Sequence, residues 1–308
     1  MKWGLNDIPD LKGKVAMVTG ANSGLGYQSC LALAKRGAMV ILAVRSREKG
    51  KVAAGLIKAE ASGSDLIVMK VDLANIESIK HFADSFLEEF KRLDILINNA
   101  GVMAIPLRRT VQDFEMQFGV NHLGHFALTG LLIDVLNRTR DSRIVNVSSS
   151  IYRIGKINFD DLNWDKSYSK WKAYGQSKLA NILFTIELDR RLKLAGKKTF
   201  VAAVHPGWAA TNLQTRGPEM ENAIMKKFLV NSGNKLFAQK ASSGALTTLY
   251  AATSPDAVSS HFYGPGGLFT MHGNPTEEKI DSGKVNPSDA QKLWNASEQL
   301  TGIKFVIK

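Results

Sequence analysis

Cysteine occurs once in the 308 residues, at Cys30, so no intrachain disulfide can close and no thiolate cluster can hold zinc. A reducing compartment fits, and the expectation is a cytoplasmic protein. Long hydrophobic runs are also missing: none approaches the ~18 residues of a membrane span. The opening stretch from Met1 to Asp10 has neither the apolar core nor the small-residue cleavage site of a signal peptide. No Pro/Gly/Ser-rich linker divides the chain and no repeat is visible, so a single domain over residues 1–308 is the economical reading. The six histidines show no metal-ligand spacing, and no metal is expected. Acidic residues are outnumbered, 28 Asp and Glu against 40 Lys and Arg, a formal net charge of +12. The excess is scattered with no basic block of five or more. Nucleic acid is therefore not expected, and an anionic cofactor or simple solubility accounts for the charge.

What is present is an alternation. Apolar β-branched runs recur with amphipathic stretches between them, the pattern of a parallel sheet covered by helices on both faces. Strands are expected at 14–19, 39–44, 66–71, 94–98, 143–147, 200–204 and 267–271. Helices are expected at 24–36, 46–61, 76–91, 111–136, 169–194 and 241–252. Asn286, Pro287 and Gly302 announce and close a last helix, within a C-terminal helical extension at about 274–308. The fold class is α/β, a doubly wound parallel sheet of about seven strands.

The first expected strand runs into Gly20, Ala21, Asn22, Ser23, Gly24, Leu25 and Gly26. Glycines there permit a tight turn, a close backbone approach to a pyrophosphate and tight helix packing, and the helix start presents free N–H groups to phosphates. Placed between the first strand and the first helix, the turn reads as dinucleotide binding. The second strand ends at Arg45, where an Asp or Glu would take the 2′-hydroxyl of NAD and an Arg accommodates the 2′-phosphate of NADP. NADP(H) is the expected cofactor, with NAD(H) the weaker candidate. Asp72 and Leu73 end the third strand, where a carboxylate either meets the adenine amino group or caps the next helix. Asn98, Asn99, Ala100 and Gly101 end the fourth, at the sheet edge where ligands bind, although Asn-Gly turn chemistry explains them as cheaply.

Asn121 sits in mid-helix, where a buried polar side chain requires a partner. Ser148, Ser149 and Ser150 end the fifth strand, and His205, Pro206 and Gly207 the sixth, with Thr211 following as a contact for the cofactor's carboxamide or phosphates. His205 reads as structural. Tyr174 and Lys178 stand four residues apart and so share one helix face. A positive charge at roughly 5 Å, with an effective dielectric of about 20, favours the phenolate by about 3 kcal/mol, or about two pKa units.

Taken together, residues 19–26, 98–101, the serine strand end and 174–178 resemble the short-chain dehydrogenase/reductase family, over nearly the whole chain from Leu11 to Gly273. The resemblance implies a Rossmann-type fold. It implies that Tyr174 exchanges the reacting proton, that Lys178 lowers its pKa and binds the nicotinamide ribose, that Ser149 orients the carbonyl and that Asn121 holds a relay water. The choice of Ser149 comes from similarity to the retinol dehydrogenase-like branch, which also shares the long segment from Ser150 to Ala173, the run from Ser177 to Phe184 and the tail from Leu293 to Glu298. Many vertebrate members of that branch begin with a membrane anchor. None is visible here, so the expectation leans to soluble relatives.

The function expected is hydride transfer between NADP(H) and a lipophilic aldehyde, ketone or alcohol. Two other readings stay open: an NADPH-sensing regulator without turnover, and an NADP-dependent epimerase or dehydratase, whose glycine spacing usually differs from Gly20, Gly24 and Gly26. Residues 213–239, rich in Met, Phe and Lys, read as a lid over an apolar pocket or as a surface helix touching membrane. The expected partner is a small carbonyl or alcohol, and a homo-oligomer stays open.

Overall fold

Val15–Thr19 is buried at all five positions, and Met39–Val44 at all but its first. Strands covered on both faces read as continuous apolar runs, and these become the centre of the sheet. The computed structural model describes residues 3–207, 241–267, 270 and 272–307. Its strands are β1 (Val15–Thr19), β2 (Met39–Val44), β3 (Leu66–Lys70), β4 (Ile95–Asn98), β5 (Arg143–Val147), β6 (Phe200–Val204), β7 (Phe262–Pro265) and β8 (Pro275–Glu277). They lie in the order β3-β2-β1-β4-β5-β6-β7-β8. All pairings are parallel except β7 with β8. The order reverses between β1 and β4, which opens a crevice at the carboxyl ends of those strands.

The helices are α1 (Gly24–Lys35), α2 (Arg47–Glu60), α3 (Ile76–Glu89), α4 (Met116–Phe118), α5 (Gly124–Arg138), α6 (Lys170–Leu194), α7 (Ala241–Thr253) and α8 (Pro287–Thr301). One apolar cluster joins Cys30, Leu33, Ile57 and Leu249 to one face of the sheet, and a second joins Phe86, Phe126, Leu188 and Trp294 to the other. Asn286 caps α8 by accepting from Ser288 N, and Gly302 closes it in the left-handed region at φ 69°.

Three expectations change. The seventh strand is Phe262–Pro265 and not 267–271: Gly267 enters a turn in which its N–H donates to His272 O at 2.9 Å and its carbonyl accepts from Thr270 N at 2.9 Å. Leu268, Phe269 and Met271 lie outside the described residues. The short polar β8 was not expected, because an edge strand paired on one side carries no apolar alternation. The helix expected at 111–136 starts only at Met116, where Glu115 caps the backbone N–H groups of Gln117 and Phe118, and it passes through a π turn at Gly119–Leu123. Such a wide turn interrupts the regular hydrogen-bond ladder and often marks a functional site.

Candidate active site

The end of β1 is shaped for a close approach. Gly20 and Gly24 have φ of 66° and 56°, a region that side chains other than glycine rarely enter. A Cβ on Gly26 would lie 2.5 Å from Gly20 O and 2.6 Å from Asn99 Nδ2. Ser23, the cap of α1, makes no side-chain cap bond, so the first N–H groups of the helix are presented to a ligand beside Asn22, Ser23 and Leu25. The turn is locked to β4: Asn99 Nδ2 donates to Thr19 O at 2.7 Å, and Thr19 Oγ1 accepts from Asn99 N and Ala100 N, each at 2.9 Å. This glycine cradle, helix start and second-strand arginine fit a dinucleotide. Asn98 does not face the crevice as expected. Its amide points into the sheet's flank, donating to Thr129 Oγ1 at 3.0 Å and to Asn146 Oδ1 at 2.8 Å.

Arg45 is exposed directly after β2. Near it, a cavity of about 570 Å³ is lined by Arg47, Lys70, Asp72, Asn75, Ser78 and His81 among others. Asp72 Oδ1 accepts from Ala74 N at 3.0 Å and Asp72 N donates to Ser78 Oγ at 3.0 Å. That carboxylate therefore shapes the turn into α3 while lining the cavity, and Leu73 is buried behind it.

The groups expected to react gather on the other side of the crevice. Tyr174 and Lys178, on α6, are 4% and 3% exposed, with Lys178 Nζ 5.7 Å from the centre of the Tyr174 ring. Lys178 Nζ donates to Val147 O at 3.0 Å. The three serines separate by environment. Ser148 is buried and donates to Lys178 O at 2.7 Å, Ser150 is exposed at the start of a 3-10 turn, Ser150–Ile154, and Ser149 heads that turn, its hydroxyl accepting from Ile151 N at 3.4 Å and lying close enough to the Tyr174 phenol to act on its ionisation. Asn121 is fully buried in the π turn. Its Oδ1 accepts from Val102 N at 2.8 Å, and its Nδ2 donates to Val102 O and Ser177 Oγ, each at 2.9 Å. The amide thus clamps the segment running out of Gly101, where a Cβ would stand 3.0 Å from Asn121 Oδ1 and 3.7 Å from Lys178 Nζ.

Burial dominates the ionisation of the pair. It pushes the Tyr174 phenol up to about 12, against the opposing Ser149 bond, and pulls the Lys178 ammonium down to about 8. In the chain by itself the phenol is therefore held protonated at neutral pH, where sequence reasoning expected the lysine to lower it. Desolvation disfavours each charged form, and its size depends on the surrounding packing.

His125 went unnoticed in the sequence. One turn after Asn121, its Nδ1 lies 3.0 Å from Asn121 O and its Nε2 2.9 Å from Thr19 Oγ1. Burial lowers its pKa to about 4, so it is a neutral link between the glycine turn and the π turn. The i, i+4 spacing of Asn121 and His125 was the available signal. Pro206 and Gly207 follow β6 at the same sheet edge, with Gly207 at φ 66°. Thr211 and residues 213–239 lie outside the described residues.

The short chain dehydrogenase pattern matches residues 14–222. The chain belongs to that family. This short chain dehydrogenase is 42% identical over 305 residues to retinol dehydrogenase 14 of Mus musculus, covering 95% of this chain and 87% of the relative. It is 47% identical over 295 residues to retinol dehydrogenase 11 of Mus musculus, covering 95% and 88%. A crystal structure of an uncharacterised protein from Mycobacterium paratuberculosis, 40% identical, superposes with a TM-score of 0.81 over 99% of this chain and 100% of that one. Membership makes the chain an oxidoreductase that interconverts an alcohol and a carbonyl. Among the described residues no helix is long and apolar enough to cross a membrane.

Proposed function

We propose that this short chain dehydrogenase uses NADP(H) to interconvert a lipophilic aldehyde or ketone and its alcohol, with Tyr174 as the proton donor in reduction. The observation that carries the reading is the convergence of the Tyr174 phenol, the Ser149 hydroxyl and the Lys178 ammonium beside a glycine turn that a Cβ would fill. The bound nicotinamide supplies or accepts the hydride. Everything else falls to the chain. The turn of Gly20 to Gly26 and the start of α1 would hold the phosphates, and Asn99, Ala100, Gly101, Pro206 and Gly207 would border the nicotinamide half, with Thr211 assigned to it from the sequence alone. Arg45 meets the 2′-phosphate.

In reduction, Ser149 and Tyr174 donate to the carbonyl oxygen as it gains charge, and Tyr174 passes its proton to it. Burial keeps the phenol protonated but makes it the weaker acid, so release of its proton depends on the positive charge of Lys178 nearby. The phenolate left behind is stabilised by the positive charge of Lys178, whose remaining N–H donors suit ribose hydroxyls. Asn121 fixes the segment after Gly101 beside Lys178, and a relay water held there would return protons to Lys178.

A lipophilic substrate is supported by the apolar composition of residues 213–239, and by relatives named for retinol at 41–47% identity. The test is a panel of aliphatic, aromatic and retinoid aldehydes and ketones with NADPH and NADH, followed by loss of the reduced-nicotinamide absorbance. Turnover should favour NADPH and the lipophilic members. Uniform preference for small polar carbonyls, or for NADH, would overturn those two parts of the reading.

A further inference from the structure

Residues 275–285, beyond β7, reach back to two turns of the site. Glu278 directly follows β8, and its N–H donates to Phe262 O at 2.8 Å, which sets where the carboxylate points. Glu278 Oε2 lies 2.9 Å from His205 Nε2, and Oε1 accepts from an Arg153 guanidinium N–H at 3.3 Å. Burial would push the Glu278 carboxyl up, but the bond from His205 and the bond and charge of Arg153 outweigh it and hold the group below its ordinary range. It is thus a charged residue with two dedicated partners.

His205 is fully buried and stacks on Phe262, ring centres 5.2 Å apart. It occupies the space a side chain on Gly264 would need. Its Nδ1 accepts the Gly207 N–H at 3.2 Å. A ring nitrogen that accepts carries no proton, so Nε2–H donates to Glu278. The path from Gly207 through His205 and Glu278 to Arg153 therefore joins the Pro206–Gly207 turn to the Ser150–Ile154 turn that Ser149 heads. Two further bonds brace the second turn from the same stretch: Asp281 N donates to Tyr152 Oη at 3.2 Å, and Lys284 Nζ to Gly155 O at 3.0 Å.

We infer that Glu278 is a positioning residue which, through His205, holds the Pro206–Gly207 turn against the nicotinamide end of the cofactor and, through Arg153, holds Ser149 against Tyr174. The inference rests on the function proposed above, since it assigns those turns to cofactor and carbonyl. The two arms are separable by chemistry. Glu278→Gln keeps an oxygen for His205 Nε2–H but discards the charge that Arg153 needs. His205→Asn loses Glu278 yet keeps an oxygen that can accept the N–H two residues on, as Asx turns do. His205→Leu keeps neither.

The test measures NADPH affinity by the fluorescence of the bound nicotinamide, and kcat on the same folded samples with melting temperatures recorded. His205→Leu should weaken NADPH binding about tenfold, the scale of one buried hydrogen bond lost with a donor stranded, while His205→Asn stays within about threefold of the parent. Arg153→Ala and Glu278→Gln should lower kcat about tenfold while leaving NADPH affinity within about twofold. A purely structural brace would lower the melting temperature of all four variants and leave affinity and kcat of the folded protein unchanged, and that result overturns the inference. If the unaltered chain neither binds NADPH nor turns over a carbonyl, the proposed function fails first and takes the positioning roles with it. Normal binding and turnover in the parent with no change in His205→Leu or Glu278→Gln refutes the positioning alone.

Discussion

The two ends of the crevice handle charge in opposite ways. At the reacting end, Tyr174, Lys178 and Asn121 are buried, and Asn121 has both side-chain polar atoms bound. At the adenosine end, Arg45 and Arg47 are exposed beside a cavity that mixes Lys70 and His81 with Asp72 and Glu77. Desolvation makes the buried charge costly and therefore powerful, because water does not screen what it does to the phenol. The exposed charges are screened and cheap. Altering the reacting end should change rates by orders of magnitude, whereas altering the adenosine end should only shift a preference.

Lys178→Met gives the largest expected effect. With the ammonium gone, kcat should fall by about 10²–10⁴, the range of a lost acid–base contribution. The same change should stabilise the fold at pH 7. Lys178 has a folded pKa lowered from 10.5 to about 8, so between pH 8 and 10 the unfolded chain binds more protons and parent stability rises with pH. The rise should approach about 3 kcal/mol, and it should vanish in the Met variant. Val147 O keeps a partner there, Asn181 Nδ2 at 3.1 Å. Denaturant titrations at pH 7, 8, 9 and 10 check this; a parallel pH profile in the two proteins would show that Lys178 is not desolvated as described.

Arg45→Asp should act more modestly. Replacing a 2′-phosphate partner by a like charge should cut the NADPH-to-NADH ratio of kcat/KM by about tenfold, and less at high salt. An unchanged ratio would transfer the recognition to Arg47 and Lys70, which line the cavity itself. Equal losses with both cofactors would remove the distinction between the two ends.

The parts of the molecule that were legible in the sequence are those governed by local pattern. The runs at 39–44, 143–147 and 200–204 coincide with β2, β5 and β6, because strands buried on both faces leave continuous apolar signatures. The Asn286–Pro287 start and Gly302 stop of α8 were equally plain. The late start of α4 was not, since it depends on Asp113 at φ 61° and on Thr110 Oγ1 accepting from Phe114 N, neither of which breaks the apolar periodicity. In the site, the shared face of Tyr174 and Lys178 follows from helix geometry alone, but the direction of their pKa shifts does not. The sign of the neighbouring charge can be read from the sequence, while the burial that raises the phenol is set by the packing of β5 and α6. Glu278 escaped for a related reason, since it follows His205 by 73 positions and no spacing rule reaches that far; for His125 the i, i+4 spacing from Asn121 was visible, but its contact with Thr19, 106 positions earlier, was not.

Tyr174→Phe offers the most direct test, because it removes one oxygen and leaves the ring and the neighbouring ammonium. NADPH affinity, measured by nicotinamide fluorescence, and single-turnover reduction of the best aldehyde in the panel should be recorded on the same sample. Tyr174 as proton donor requires unchanged affinity with the rate of carbonyl reduction reduced by about 10²–10⁴. A Phe variant that binds NADPH and reduces the aldehyde at near the parental rate would contradict it.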